Sequence, residues 1–213
     1  MNKKYIKIIM LILSVFVISG CVSIRKSTIK EIVSYVVNNK HKLYNKYNNG
    51  YKYYLPKNME VSYKDDSNEI IKSRYYDYYL YVDLVSYYNK TKPLYKIDEQ
   101  LYYSSHIKDE EGLLNITKLS DSYLIHIDYN YAKMEVKVKE NDLNEAISNA
   151  IIIVSSIDYN EEVIRAMMND GVLSTNEKNV EVFKKKDADK SNQLDVDDTY
   201  EDEDENDDTD YIN

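Results

Sequence analysis

The chain has 213 residues, a formal net charge of -9, 24 tyrosines, four glycines, two prolines, no tryptophan and one cysteine. A single cysteine excludes a disulfide framework and a thiolate-ligated zinc centre, and there is no glycine-rich phosphate loop, Gly-x-Ser-x-Gly elbow or HExxH pair to carry catalysis. Residues 195–213 hold eleven acids and no base, so the rest of the chain is close to neutral and offers no basic patch for nucleic acid.

Lys3, Lys4 and Lys7 precede an apolar run from Ile8 to Ile18 that only Ser14 interrupts. A basic start followed by so short an apolar stretch predicts a secretory signal, because a spanning helix needs about 20 residues. The run ends on Ile18-Ser19-Gly20-Cys21, which resembles the bacterial lipobox of a branched apolar residue, a small residue, Gly or Ala, and an obligatory Cys. The resemblance covers residues 1–21. It implies a signal peptide over 1–20, cleavage before Cys21, and a diacylglyceryl group on the Cys21 thiol. Two acyl chains anchor firmly where one binds only reversibly. The expected location is therefore the extracytoplasmic face of the cell membrane, with a lipid anchor at Cys21. The other reading of these residues is an uncleaved anchor, or an ordinary buried thiol at Cys21. Residues 21–27 form a tether of at most about 20 Å, which holds the domain against the bilayer. Arg25, Lys26 and Lys30 lie where anionic head groups would be.

Ile29, Ile32, Val33, Val36, Val37 and Leu43 recur at three- and four-residue spacing and predict a helix over about 27–43, stopped by Asn48-Asn49-Gly50. From Tyr51 the period becomes two. Tyr51, Tyr53 and Leu55 lead to a turn at Pro56-Lys57-Asn58, and Met59, Val61 and Tyr63 alternate with polar residues. A strand is expected over 75–87, with Tyr76, Tyr78, Leu80, Val82 and Leu84 on one face. Further strands are expected over 100–107, 112–119, 123–129 and 134–138, joined by short turns as in an antiparallel meander. Asp142 with Glu145 forms a capping-box pattern ahead of the stripe Ala146, Ile147, Ala150, Ile151, Val154 and Ile157, and a second helix runs over 161–170 to Gly171.

The order predicts an α+β domain over 28–171: an antiparallel sheet with packed N-terminal and C-terminal helices. A linker over 172–194 and an acidic disordered tail over 195–213 follow it. Gly50-Tyr51-Lys52-Tyr53-Tyr54-Leu55-Pro56-Lys57 resembles the opening strand of PsbP/Mog1-like domains, and a helix over 144–157 falls where that fold has one. The resemblance implies a fold and no single function. Met59 stands at the family's tryptophan position.

His41, His106 and His126 have no spacing that pairs two as metal ligands and are expected on the surface, with His126 on a solvent-facing strand position. Asp77 with Asp83, or Asp83 with a distant Glu, are the carboxylates that could pair; acids on an exposed strand face are the ordinary case. Tyr75, Tyr79, Tyr81, Tyr87 and Tyr88 could line an outer sheet face suited to sugar stacking or protein contact. AT-rich codons would also supply such tyrosines, with a second layer covering the face. Asp187, Asp189, Ser191 and Asp195 occupy oxygen-ligand positions in a segment that resembles an EF-hand loop, and Phe183 stands in its entering helix. Asn192 replaces the turn glycine and Asp198 the closing glutamate, so the resemblance implies weak calcium binding at most. The sequence thus predicts a non-enzymatic surface lipoprotein with a protein or glycan ligand and no cofactor. Its alternative is a cation-binding acidic segment.

Calorimetric titration with calcium separates these readings. A weak heat that disappears when the chain stops at Lys186 is expected of a cation-binding segment; equal heats from both chains, or none, remove it.

Overall fold

The computed structural model describes residues 27–39 and 43–173. Helix α1 (Ile29–Asn38) opens on a capping box: Thr28 Oγ1 accepts from the Glu31 amide at 3.3 Å, and Glu31 accepts from the Thr28 amide at 2.8 Å. It buries Ile32, Val33, Val36 and Val37. It ends earlier than the apolar pattern suggests, because the Asn39 side chain donates to the Tyr35 carbonyl at 2.8 Å and leaves Leu43 exposed.

β1 (Lys46–Asn48) and β2 (Tyr51–Tyr53) form a hairpin about Asn49-Gly50, and β10 (Asp158–Tyr159) pairs with the other edge of β2. Gly50 has φ +82°, and a Cβ there would lie 2.8 Å from Ile164 Cγ1, so the turn requires glycine twice over.

The second sheet contains β3 (Glu60–Lys64), β4 (Asn68–Lys72), β5 (Asp77–Val82), β6 (Tyr103–Ile107), β7 (Gly112–Lys118), β8 (Tyr123–Tyr129) and β9 (Ala132–Val138). Its order is β3-β4-β5-β9-β8-β7-β6, antiparallel throughout: two meanders joined where β5 meets β9. The strand expected over 75–87 stops at Val82. Asp83 turns the chain by accepting from the Ser86 amide at 2.7 Å, which caps the short helix α2 (Leu84–Asn89) and takes Leu84, Tyr87 and Tyr88 out of the strand. The β8–β9 hairpin uses Asn130-Tyr131, both at positive φ, as a two-residue turn matches the twist of its strands.

Helix α3 (Leu143–Ser156) buries Ala146, Ile147, Ala150, Ile151, Ile153 and Val154. With α1 it covers one face of the large sheet, where Ile71, Tyr78, Leu80, Leu114, Ile116, Ile125, Ile127, Met134 and Val136 form the core. Asp142 does not cap it. A 3-10 turn over Glu140–Asp142 removes the extended backbone a cap needs, and Asp142 accepts from the Tyr76 hydroxyl at 2.6 Å instead. Helix α4 (Glu161–Asn169) is capped by Asn160, buries Ile164 and Met167, and leads to Gly171 at φ +69°. The architecture is α+β, with an antiparallel sheet and helices packed on it.

One buried carboxylate ties the two sheets together. Glu69 of β4 is 2 % exposed and faces inward beside Ile71. Its Oε1 accepts from the Tyr51 hydroxyl at 2.7 Å and the Asn48 amide at 2.9 Å, while the Tyr53 hydroxyl donates to its Oε2. All three donors belong to β1 and β2. Burial and the adjacent carboxylate raise both phenols well above the usual tyrosine range. Glu69→Leu would leave the Tyr51 and Tyr53 hydroxyls without their acceptor and should destabilise the domain by about 3 kcal/mol. Glu69→Gln keeps an acceptor and should cost less. Urea unfolding measures both; a loss below about 0.5 kcal/mol for the leucine variant would remove the tie from the account.

Candidate functional site

The second face of the large sheet carries no helix among the described residues, and its side chains follow from the register. Tyr79, Glu135, His126, Asn115 and Ser104 form one row across β5, β9, β8, β7 and β6; Tyr81, Lys133, Asp128, Leu113 and His106 form the next. Strand alternation puts these residues opposite the apolar core positions.

His126 lies at the centre of this face. Its Nδ1 is 2.9 Å from Glu135 Oε1, and its Nε2 is 2.7 Å from Asp128 Oδ2. Burial opposes charge on the ring. The hydrogen bonds and charges of Asp128 and Glu135 outweigh it, and push the imidazole up to about 9. The expected surface histidine is therefore an imidazolium clamped between two carboxylates, joining β8 to β9. With both nitrogens engaged, the ring can neither take up a proton nor ligate a metal while these bonds stand.

The segment between α2 and β6, residues 90–102, crosses part of the same face. The His106 Nε2 meets the Tyr95 carbonyl at 3.1 Å, and the Asp98 amide donates to Ser104 Oγ at 3.0 Å. Burial raises the Tyr95 phenol to about 12, helped by the charge of Asp128. Two clefts lie elsewhere. One of about 430 Å³ is lined by Tyr47, Asn49, Lys52, Asp158 and Glu162; one of about 470 Å³ lies between α1 and β6 and is lined by Lys30, Val33, Val37, Ser105 and Lys108.

Of the five tyrosines expected on one outer face, Tyr79 and Tyr81 are there. Tyr75 sits in the β4–β5 connection against Tyr76, and Tyr87 and Tyr88 belong to α2, with Tyr87 stacked on Tyr159 at 3.9 Å. Asp77 and Asp83 lie at opposite ends of β5 and form no pair. Among the described residues, no three His, Cys, Asp or Glu side chains are placed to hold a metal, and no helix is long and apolar enough to cross a membrane. Cys21, His41, Asp187, Asp189, Ser191, Asp195 and Asp198 lie outside the described residues.

The Glu135–His126–Asp128 cluster was accessible in principle. Centring the hairpin on Asn130-Tyr131 pairs His126 with Glu135, and Asp128 follows at two-residue spacing. Glu69 had no such signal, since its donors lie in a different sheet. Compared with known proteins, the chain matches no family model and no curated protein.

Because the folded imidazole titrates above its ordinary value, its contribution to stability is complete below about pH 6.5 and is lost as pH rises through about 9. The melting temperature should fall by a few degrees across that interval, and the fall should be absent in a variant carrying Asp128→Asn and Glu135→Gln. An imidazole that titrates by NMR near its ordinary value would contradict the clamp.

Proposed function

We propose that this chain is a lipoprotein held at the extracytoplasmic face of the membrane through Cys21, and that its domain is a non-enzymatic binding module. The observation that carries the binding half is the outer sheet face. It presents Tyr79, Tyr81 and Lys133 with polar neighbours, while the other face is sealed by α1 and α3. Aromatic rings beside amide, hydroxyl and charged groups suit a glycan or the rim of a protein partner. The only imidazole at the centre of this face has both nitrogens bound to carboxylates, an arrangement that favours rigid presentation over proton transfer.

The lipobox resemblance carries the membrane half. The Asn144 side chain donates to the Ser27 carbonyl at 2.9 Å, so the folded domain is fastened six residues after Cys21. A partner would therefore be met close to the bilayer.

Expression with Cys21→Ser tests the anchor. Wild-type protein should fractionate with membranes after losing its first twenty residues and gaining a diacylglyceryl mass, and the variant should persist as precursor. Identical processing and membrane retention of both would overturn the reading. For the binding face, a ligand captured from native membranes by wild type should be lost on Tyr79→Ala with Tyr81→Ala, at unchanged melting temperature.

A further inference from the structure

We propose that the strap between α2 and β6 is a membrane-docking surface that seats on anionic phospholipid. The proposal deepens the anchored-module reading, on which it depends for the presence of a bilayer, by naming the part of the domain that meets it.

Residues 90–97 read Lys90-Thr91-Lys92-Pro93-Leu94-Tyr95-Lys96-Ile97, with three lysines and no acid; Asp98 and Glu99 follow where the strap turns back to β6. Leu94 is 82 % exposed and Ile97 49 % exposed, whereas Tyr95 between them is half-buried. Single exposed apolar residues are ordinary on soluble domains. Two within four residues, set among lysines on one segment, form the mixed basic and apolar surface that binds a lipid interface.

The strap is also held. The Tyr95 carbonyl meets His106, the Asp98 amide is fixed by Ser104, and Pro93 restricts the backbone ahead of Leu94. Lys90 Nζ lies 3.8 Å from the Tyr87 ring centroid and Lys92 Nζ 5.9 Å from that of Tyr131, so aromatic faces position both ammonium groups. Among the described residues, no salt bridge engages Lys90, Lys92 or Lys96. The Lys96 ammonium remains for phosphate, and those of Lys90 and Lys92 meet only ring faces, which phosphate can displace. Leu94 and Ile97 are long enough to enter the boundary between head groups and acyl chains.

A protein partner fits less well, since two apolar side chains supply little of the roughly 800 Å² per partner that a stable interface buries. A lipid surface needs far less contact when an acyl anchor already holds the domain near it, because the second attachment is then intramolecular.

The test uses the whole chain in vesicles, with a thiol-reactive fluorophore placed by Leu94→Cys and, as reference, by Glu60→Cys on β3 at the opposite edge of the large sheet. Nitroxide-bearing lipids should quench the probe at 94 about threefold more than the probe at 60 when phosphatidylglycerol is present, and the excess should vanish in pure phosphatidylcholine or on Lys92→Glu with Lys96→Glu. Equal quenching at both positions, or quenching indifferent to lipid charge, overturns the proposal. Label uptake by Cys21 would report separately that the thiol is not lipidated, so failure of the anchor and failure of the docking surface are distinguishable.

Discussion

The arrangement of the domain depends on where Glu69 puts its charge. Strand alternation carries this carboxylate to the inner side of β4, next to Ile71, where an ionised group without partners would be prohibitively costly. Three neutral donors from β1 and β2 meet it there. The small sheet is thus held in one position against the large one, and β10 follows because it pairs with β2. Through Asn160, whose amide donates to the Gly50 carbonyl at 2.8 Å, the same hairpin also receives the start of α4. A buried polar cluster of this kind contributes uniqueness as well as energy, since any other seating of the small sheet leaves a charge and two hydroxyls unpaired.

The large sheet divides the domain into two chemistries. On the helix-covered side, large aliphatic residues of the central strands form one core with α3, which is buried on most of its surface, Ser148, Ser155 and Ser156 included. On the other side, the register gathers acids, lysines, an imidazolium and tyrosines, over which no helix packs among the described residues. The Glu135–His126–Asp128 cluster explains how two carboxylates tolerate one neighbourhood: a single delocalised cation is shared between them. The strap from α2 to β6 crosses this side, and its polar contacts point inward while Leu94 and its lysines remain in solvent.

Much of this was legible in the sequence. The period-two runs of the meander and the apolar stripe of α3 are imposed by simple burial on one face, so their existence and type follow from hydrophobic spacing alone. Local hydrogen bonds set the boundaries instead. Asp83 reads as one more alternating strand residue until its side chain is seen to cap α2, and Asp142 reads as a cap until Tyr76 takes its carboxylate. Thr28 and Glu31, three residues apart, carried the capping box that was read at Asp142 and Glu145.

By itself the sequence determined the α+β class, the period-two runs that became β7, β8 and β9, the apolar stripe of α3, the concentration of acid over residues 195–213, and the pattern around Cys21 from which an address is inferred; β1, β4, β10 and α2 had no expectation ahead of them. The features it determined depend on nearest neighbours and on period, which a linear string contains. Only the tertiary structure decided that Glu69 is buried among phenols, that His126 is an imidazolium, that Tyr87 leaves the sheet for Tyr159, and that Leu94 protrudes beside lysines that form no salt bridge among the described residues. Each of those depends on strand register or on contact between residues far apart in the chain, and the energy of a charge or an apolar side chain is set by what surrounds it in space.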